Sequence, residues 1–132
     1  MRDPTRVPTW LLLALGAVAA CAFAWNALPV DRAGGPREVV LVARDMAFAL
    51  PGQAGRNPTL RLKAGERIRL VLENRDPGMK HDLASAGLGI RTEALAFGES
   101  GGQILTVPRR PGEYDYFCSF HAQMMRGRMV VE

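Results

Sequence analysis

The chain has 132 residues, a formal net charge of +4 and 48% hydrophobic residues. This length suits one domain and leaves no room for a second sizeable core. The basic residues do not cluster beside an element that reads nucleic acid, so no nucleic-acid partner is expected. The two cysteines are Cys21, inside an apolar leader, and Cys118, so a disulfide framework in the folded part is excluded.

Residues 1–30 form a predicted leader, either a signal peptide or a helical membrane anchor. Two arginines precede an apolar run, Trp10–Trp25, which is shorter than the roughly 20 residues that a membrane-spanning helix needs. Three fates stay open: a retained anchor, cleavage after the small residues 22–24, or lipidation of Cys21 after "VAA". Each fate places the rest of the chain outside the cytoplasm, on the periplasmic side in a bacterium.

Residues 31–38, "DRAGGPRE", are charged and interrupted by Gly and Pro, which predicts a linker before a domain at residues 39–132. The β-branched run "EVVLVA" predicts a buried strand. Two further strands are predicted at 59–63 and 67–74, with a turn at 64–66 between them. In the second of these, apolar residues alternate with charged ones, the period of a half-buried strand.

The remaining elements are also predicted to be strands. Residues 83–102 are rich in glycine and predict a loop with one or two short elements. "QILTVP" predicts a strand, and "GEYDYFC" predicts another on which Tyr114, Tyr116 and Cys118 face the same side. "GRMVVE" closes the sheet. Seven or so short strands separated by turns predict an all-β sandwich.

The end of the chain combines several metal-binding side chains. Cys118, His121 and the pair Met124 and Met125 offer a thiolate, an imidazole and a thioether within eight residues. The only other histidine, His81, follows a Pro–Gly turn after a predicted strand. Two imidazoles and a thiolate with a weak axial methionine form the donor set of an electron-transferring copper site.

These motifs resemble the cupredoxin, or blue copper, family. "PGEYDYFCSFHAQMMRGRMVVE" is similar to the family's closing hairpin, most of all that of the amicyanins, and "LKAGERIRLVLENRDPGMKH" is similar to the strands that lead to its first histidine ligand. The resemblance implies a Greek-key β-sandwich that binds one type 1 copper ion. It implies that His81, Cys118 and His121 are the equatorial ligands.

The axial ligand is open between two neighbouring methionines. Met124 has the short spacing from His121 that is found in amicyanin. Met125 begins the "MRG" segment that leads into the last strand, and this anchor favours Met125, with Met124 as the alternative.

The residue after the first histidine is Asp82, where the family often has Asn. A carboxylate near the thiolate is expected to favour oxidised copper and so lower the reduction potential. The family's binuclear centres need a second cysteine in this loop, so a mononuclear site is expected.

The resemblance implies an electron carrier and not an enzyme, because one domain with two histidines cannot supply the extra copper site of a nitrite reductase or multicopper oxidase. We expect Phe120, Ala122 and Met124 to line an apolar patch at His121, where a cytochrome or oxidase domain docks transiently. An acidic partner is favoured if arginines surround this patch, and the candidates are Arg109, Arg110, Arg126 and Arg128. The alternative function is copper storage or delivery to an oxidase assembly site.

Overall fold

The computed structural model describes residues 34–132. The predicted leader, with Cys21 and residues 1–30, lies outside the described residues. Within the described part, no helix is long and apolar enough to cross a membrane.

Nine strands and one short 3₁₀ helix, Ala86–Leu88, make up the described part of the chain. The strands are β1 (Arg37–Arg44), β2 (Ala47–Ala49), β3 (Thr59–Leu62), β4 (Arg67–Asn74), β5 (Ala84–Ser85), β6 (Ile90–Arg91), β7 (Ser100–Thr106), β8 (Gly112–Phe117) and β9 (Arg126–Val131). The predicted all-β sandwich is confirmed.

The strands form two sheets with the orders β2-β1-β4-β7 and β3-β9-β8-β5-β6. Two pairs, β1 with β4 and β3 with β9, are parallel, and the other pairs are antiparallel. Inward-facing side chains from both sheets share one apolar core. The chain repeatedly crosses between the sheets, so segments distant in sequence meet at the ends of the sandwich.

The alternation in β4 is confirmed, because Ile68, Leu70 and Leu72 are buried between more exposed neighbours. The turn at 64–66 is also present, with Gly65 at φ 76°. The first strand begins at Arg37, two residues before the predicted domain boundary. Arg37 belongs to the sheet because it pairs with Ile68 of β4 and because its guanidinium forms an ion pair with Glu66.

Part of the predicted loop at 83–102 is strand. β7 already begins at Ser100 and pairs Gly102 with Val71 of β4. A Cβ atom at Gly102 would meet the carbonyl oxygen of Leu70, so glycine is needed there for the close approach of two strands. Gly101 and Gly102, two of the five glycines that favoured a loop, therefore belong to a strand interior.

Candidate metal centre

Cys118 lies directly after β8, with its side chain fully buried. It continues the alternation that buries Tyr116, as the sequence predicted. Its backbone amide donates a hydrogen bond to the carbonyl oxygen of Met125 at 3.0 Å, which closes the loop between β8 and β9.

Backbone hydrogen bonds hold the short loop from Cys118 to Met125 in a compact turn. The amide of His121 donates to the carbonyl of Cys118 at 3.2 Å, and the amides of Met124 and Met125 both donate to the carbonyl of His121 at 2.9 Å. This geometry places Nδ1 of His121 3.7 Å from Sγ of Cys118. The ligand spacing is therefore fixed mainly by the backbone.

His81 reaches the same place from the other half of the chain. The register pairs Ala84 of β5 with Phe117 of β8, so the segment before β5 runs beside Cys118. His81 exchanges two backbone hydrogen bonds with Leu95, of 3.0 and 2.8 Å, and its ring is fully buried. Nδ1 of His81 lies 3.7 Å from Sγ of Cys118.

The three side chains can therefore meet one ion. One ligand atom from each of His81, Cys118 and His121 lies within 4.8 Å of the others. Metal–nitrogen and metal–sulfur bonds of about 2.0 and 2.3 Å, set at about 120°, would separate sulfur from nitrogen by about 3.7 Å. Both sulfur–nitrogen distances have this value. Two imidazoles and one thiolate in this arrangement fit a single type 1 copper ion.

The two candidate axial methionines differ completely in burial. Met125 is fully buried, whereas 54% of Met124 is exposed. The carbonyl of Met124 accepts a hydrogen bond from Nδ2 of Asn57 at 2.9 Å, which ties the loop to the segment before β3. Burial favours Met125 as the thioether that faces the donor set.

Asp82 joins the two ligand-bearing segments. Its Oδ1 accepts a hydrogen bond from the amide of Ser119 at 2.6 Å, and the side chain is buried. The residue after His81 is therefore tied to the residue after Cys118. A carboxylate near the sulfur was expected from the sequence, and this is its position.

Burial raises the pKa of the Cys118 thiol, and the negative charge of Asp82 adds to the effect. Hydrogen bonds from the amides of Asp82, Phe120 and His121 partly oppose it. In the metal-free protein the thiol thus favours its protonated form, so a bound metal would displace a proton from sulfur.

The surface beside the site is apolar. Phe120 is 55% exposed, and a shallow depression around His121 is lined by Phe120, Ala122, Gln123 and Met124. His121 itself is partly exposed, whereas His81 is not. Phe120, Ala122 and Met124 are the residues that the sequence placed in an apolar patch, and Gln123 is an addition.

The expectation that four arginines surround this patch is wrong for Arg109 and Arg110. They precede β8, which must run its full length of about 20 Å before it reaches Cys118. The Arg109 side chain instead packs against the turn at Gly65. Arg126 follows the ligand loop directly and lies over the Phe117 ring at 5.6 Å.

The structure also adds residues that the sequence did not single out. Oδ2 of Asp76 lies 2.9 Å from Nε2 of His81, and Asn74 holds the loop that contains both residues. In the sequence they belong to "NRDPG", a composition typical of a solvent-exposed turn. Only their positions, seven residues (Asn74) and five residues (Asp76) before a candidate ligand, could have indicated a role.

Comparisons with known proteins show which family and fold this chain shares. A sequence profile of the Cupredoxin-like domain matches residues 12–131. No curated protein sequence is similar enough to count as a match. A solved structure of an amicyanin variant in its reduced Cu(I) form at pH 4 has 26% identity and a TM-score of 0.51, and the match covers 77% of this chain and 87% of that one.

Two further solved structures share the fold at lower identity. Auracyanin B has 22% identity and a TM-score of 0.58 over 73% of this chain and 88% of its own. The McoA multicopper oxidase from the hyperthermophile Aquifex aeolicus has 15% identity and a TM-score of 0.59. Here 73% of this chain corresponds to only 26% of the oxidase, so the match spans about a quarter of that enzyme. Because the domain profile spans most of its length, the chain belongs to the cupredoxin-like family.

Proposed function

We propose that this chain is a mononuclear copper protein that carries single electrons between redox partners outside the cytoplasm. The observation that carries the proposal is the convergence of His81, Cys118 and His121 on one ion-sized space. We assign these three residues as the equatorial ligands and Met125 as the axial ligand. Copper would supply a one-electron exchange between Cu(II) and Cu(I).

The protein's contribution is a site that changes little between the two oxidation states. Cu(I) prefers soft ligands and Cu(II) prefers nitrogen and oxygen ligands, so a mixed set held rigidly is tolerable to both. The hydrogen bonds within the ligand loop and the buried position of His81 supply that rigidity. Little rearrangement then opposes electron transfer.

We propose that electrons enter and leave through His121. It is the partly exposed ligand, and Phe120 and Met124 lie beside it as exposed apolar side chains. A small apolar contact suits a transient complex with a redox protein such as a cytochrome or oxidase domain. Arg126, next to the loop, would favour acidic groups on the partner.

The test is copper binding by the full-length chain, followed by visible absorption and EPR. We expect an intense thiolate-to-copper band that is lost in Cys118→Ser. Cys21→Ser is the matched control, because it removes the other thiol of the chain and should leave the band intact. A wild-type protein without such a band would contradict the proposal.

The axial ligand is tested by the neighbouring pair Met125→Leu and Met124→Leu. Leucine preserves most of the side-chain volume, so the fold should survive both changes. We expect Met125→Leu to shift the absorption spectrum and the reduction potential, and Met124→Leu to leave both close to wild type. The reverse result would make Met124 the axial ligand.

One observation favours copper delivery as a second function. The thioether-bearing side chain of Met124 is more than half exposed beside a partly exposed histidine, where it could pass Cu(I) to an acceptor. Loaded protein should be cycled repeatedly between oxidation states in the presence of a Cu(I) chelator. An electron carrier retains its copper, whereas a delivery protein loses it to the chelator. If Met124 assists delivery, the Met124→Leu variant should lose copper more slowly than wild type.

We also propose that residues 1–30 direct the domain at 39–132 across the membrane, where the domain is either tethered or released by cleavage. The support is the charge and apolar pattern of the sequence. Mass spectrometry of the membrane fraction distinguishes a retained anchor, a lipidated Cys21 and a cleaved signal. Protein recovered in the cytoplasm with an intact N-terminus would contradict export.

A further inference from the structure

Asp76 is a buried carboxylate with three polar contacts, and one of them is a proposed copper ligand. Only 8% of the residue is exposed. Oδ1 accepts a hydrogen bond from the amide of Asp45 at 2.6 Å, and Oδ2 accepts one from the amide of Met46 at 3.0 Å. Oδ2 also lies 2.9 Å from Nε2 of His81.

The first two contacts stabilise an unfavourable turn. Asp45 and Met46 form the two-residue connection between β1 and β2, since Arg44 pairs with Ala47. Both have positive φ, 51° and 55°, a conformation that is unfavourable for a non-glycine residue. Hairpin turns of this type usually contain Asn-Gly, which this turn lacks. By accepting both amides, Asp76 offsets part of that cost.

The carboxylate is itself held in place by the end of β4. Oδ1 of Asn74 accepts a hydrogen bond from the amide of Asp76 at 2.9 Å. Nδ2 of Asn74 donates to the carbonyls of Met79 and Leu95, both at 2.8 Å. The Asn74 side chain, at the end of β4, therefore holds the loop from Asp76 to His81 near both of its ends.

The third contact decides which nitrogen of His81 is free. An ionised carboxylate only accepts hydrogen bonds, so Nε2 must carry the proton in this contact. Both oxygens of Asp76 already act as acceptors, Oδ1 for the amide of Asp45 and Oδ2 for the amide of Met46. Nδ1 then has a free lone pair, and it is the atom that lies 3.7 Å from Sγ of Cys118.

We infer that Asp76 is a positioning residue that holds His81 with Nδ1 toward the metal and couples the β1–β2 turn to the metal site. The inference rests on the proposed function only for the identity of the ion. The same carboxylate supports the turn and contacts His81, so a change in the turn should alter the position of the His81 ring. A carboxylate partner also makes the ring a stronger donor toward a metal.

The experiment separates the two roles with three variants of the full-length chain. Asp76→Asn leaves one acceptor oxygen for contacts that now use two. The turn-repair variant Asp45→Asn/Met46→Gly places Asn-Gly in the turn, which then needs less support. The third variant combines all three changes, and the turn-repair variant alone is the matched control.

We expect Asp76→Asn to lower Cu(II) affinity by about 10- to 100-fold and to lower stability in urea. In the combined variant the stability should return toward that of the control, while the affinity stays low. If the turn repair restores the affinity as well, Asp76 acts only through the turn and the inference is wrong.

A second measurement needs no copper. Nitrogen chemical shifts of His81 in the metal-free protein should show the Nε2–H tautomer in wild type and in the turn-repair control. They should show a mixture of tautomers, or the other one, when Asp76 is Asn. An unchanged tautomer would overturn the positioning role, whereas wild-type protein that shows this tautomer but no copper band would overturn the proposed function alone.

Discussion

The charge of Asp82 is predicted to lower the reduction potential of the copper site, and Asp82→Asn isolates that charge. Asparagine retains an Oδ1 that can accept the hydrogen bond now made by the amide of Ser119 at 2.6 Å. The link between the two ligand-bearing segments should therefore survive. Only the negative charge is removed.

The size of the effect follows from the position of Asp82, next to His81 in sequence and bonded to the residue after Cys118. For an assumed separation of about 7 Å between the carboxylate and the ion, an effective dielectric constant of about 20 gives an interaction of roughly 2.4 kcal/mol with one unit of charge. A tenfold change in a one-electron equilibrium corresponds to about 1.4 kcal/mol or 59 mV. The interaction energy therefore sets an upper bound of about 100 mV on the change in reduction potential. Relaxation around the site reduces it, so we expect a rise of about 30–100 mV.

The assay is voltammetry of the copper-loaded protein, with the EPR spectrum as a check that the ligand geometry is unchanged. Glu132→Gln is the control, because it removes the same charge at the other end of β9, where Glu132 forms an exposed ion pair with Arg61. At about 0.15 M salt that charge lies well beyond the Debye length of about 8 Å and should have little effect. A shift in Asp82→Asn no larger than in the control, or a fall in potential, would refute the electrostatic argument.

Three further predictions concern stability, each measured by urea unfolding. Tyr116→Phe should lower the unfolding free energy by about 1–3 kcal/mol, because its hydroxyl donates a 2.6 Å hydrogen bond to the carbonyl of Pro58, which would be left unpaired; a neutral result would mean that water replaces the hydroxyl. Gly127→Ala should lower the unfolding free energy by at least about 1–3 kcal/mol, because the new Cβ would overlap the ring and hydroxyl of Tyr116. Wild-type stability would show that the ring moves freely. Glu66→Gln should lower stability by about 0.5–1 kcal/mol at neutral pH. The hydrogen bond from Arg37 lowers the pKa of Glu66 below 4.5, so the difference from wild type should disappear as the pH falls through that lowered pKa, and a difference independent of pH would contradict the linkage.

The predictable part of the fold is the part that strand periodicity controls. The alternation of Ile68 and Leu70 with arginines identified β4, and the alternation that ends at Cys118 identified β8 and the burial of the thiol. Every second residue of a strand faces the core, so the alternation of apolar and polar residues can be recognised in the sequence. The three equatorial ligand candidates came from the order of the donor residues and from the resemblance to a family.

The parts that were not predicted depend on contacts between distant segments. β2 was missed because it is three residues long and because the turn before it, Asp45 and Met46, has no glycine or asparagine. What stabilises that turn is Asp76, which lies 30 residues further along the chain. Arg109 was placed at the wrong end because closeness to Cys118 in sequence was not weighed against the length of an extended strand. In the turn before β2, a tertiary contact therefore overrides the local signal.

The choice between the two loop methionines can be argued from periodicity rather than from loop length. In β9, Met129 is buried and Gly127 faces the ring of Tyr116, so this face points into the sandwich. Counting back by two from Gly127 gives Met125, which continues the inward face one residue beyond the start of the strand and is fully buried. Met124 falls on the opposite face and is exposed. The spacing from His121 determines only how far the loop reaches, whereas the register of the last strand determines which thioether lies inside. A longer loop can therefore retain an inward-facing methionine, provided that the methionine lies an even number of residues before the inward-facing positions of β9.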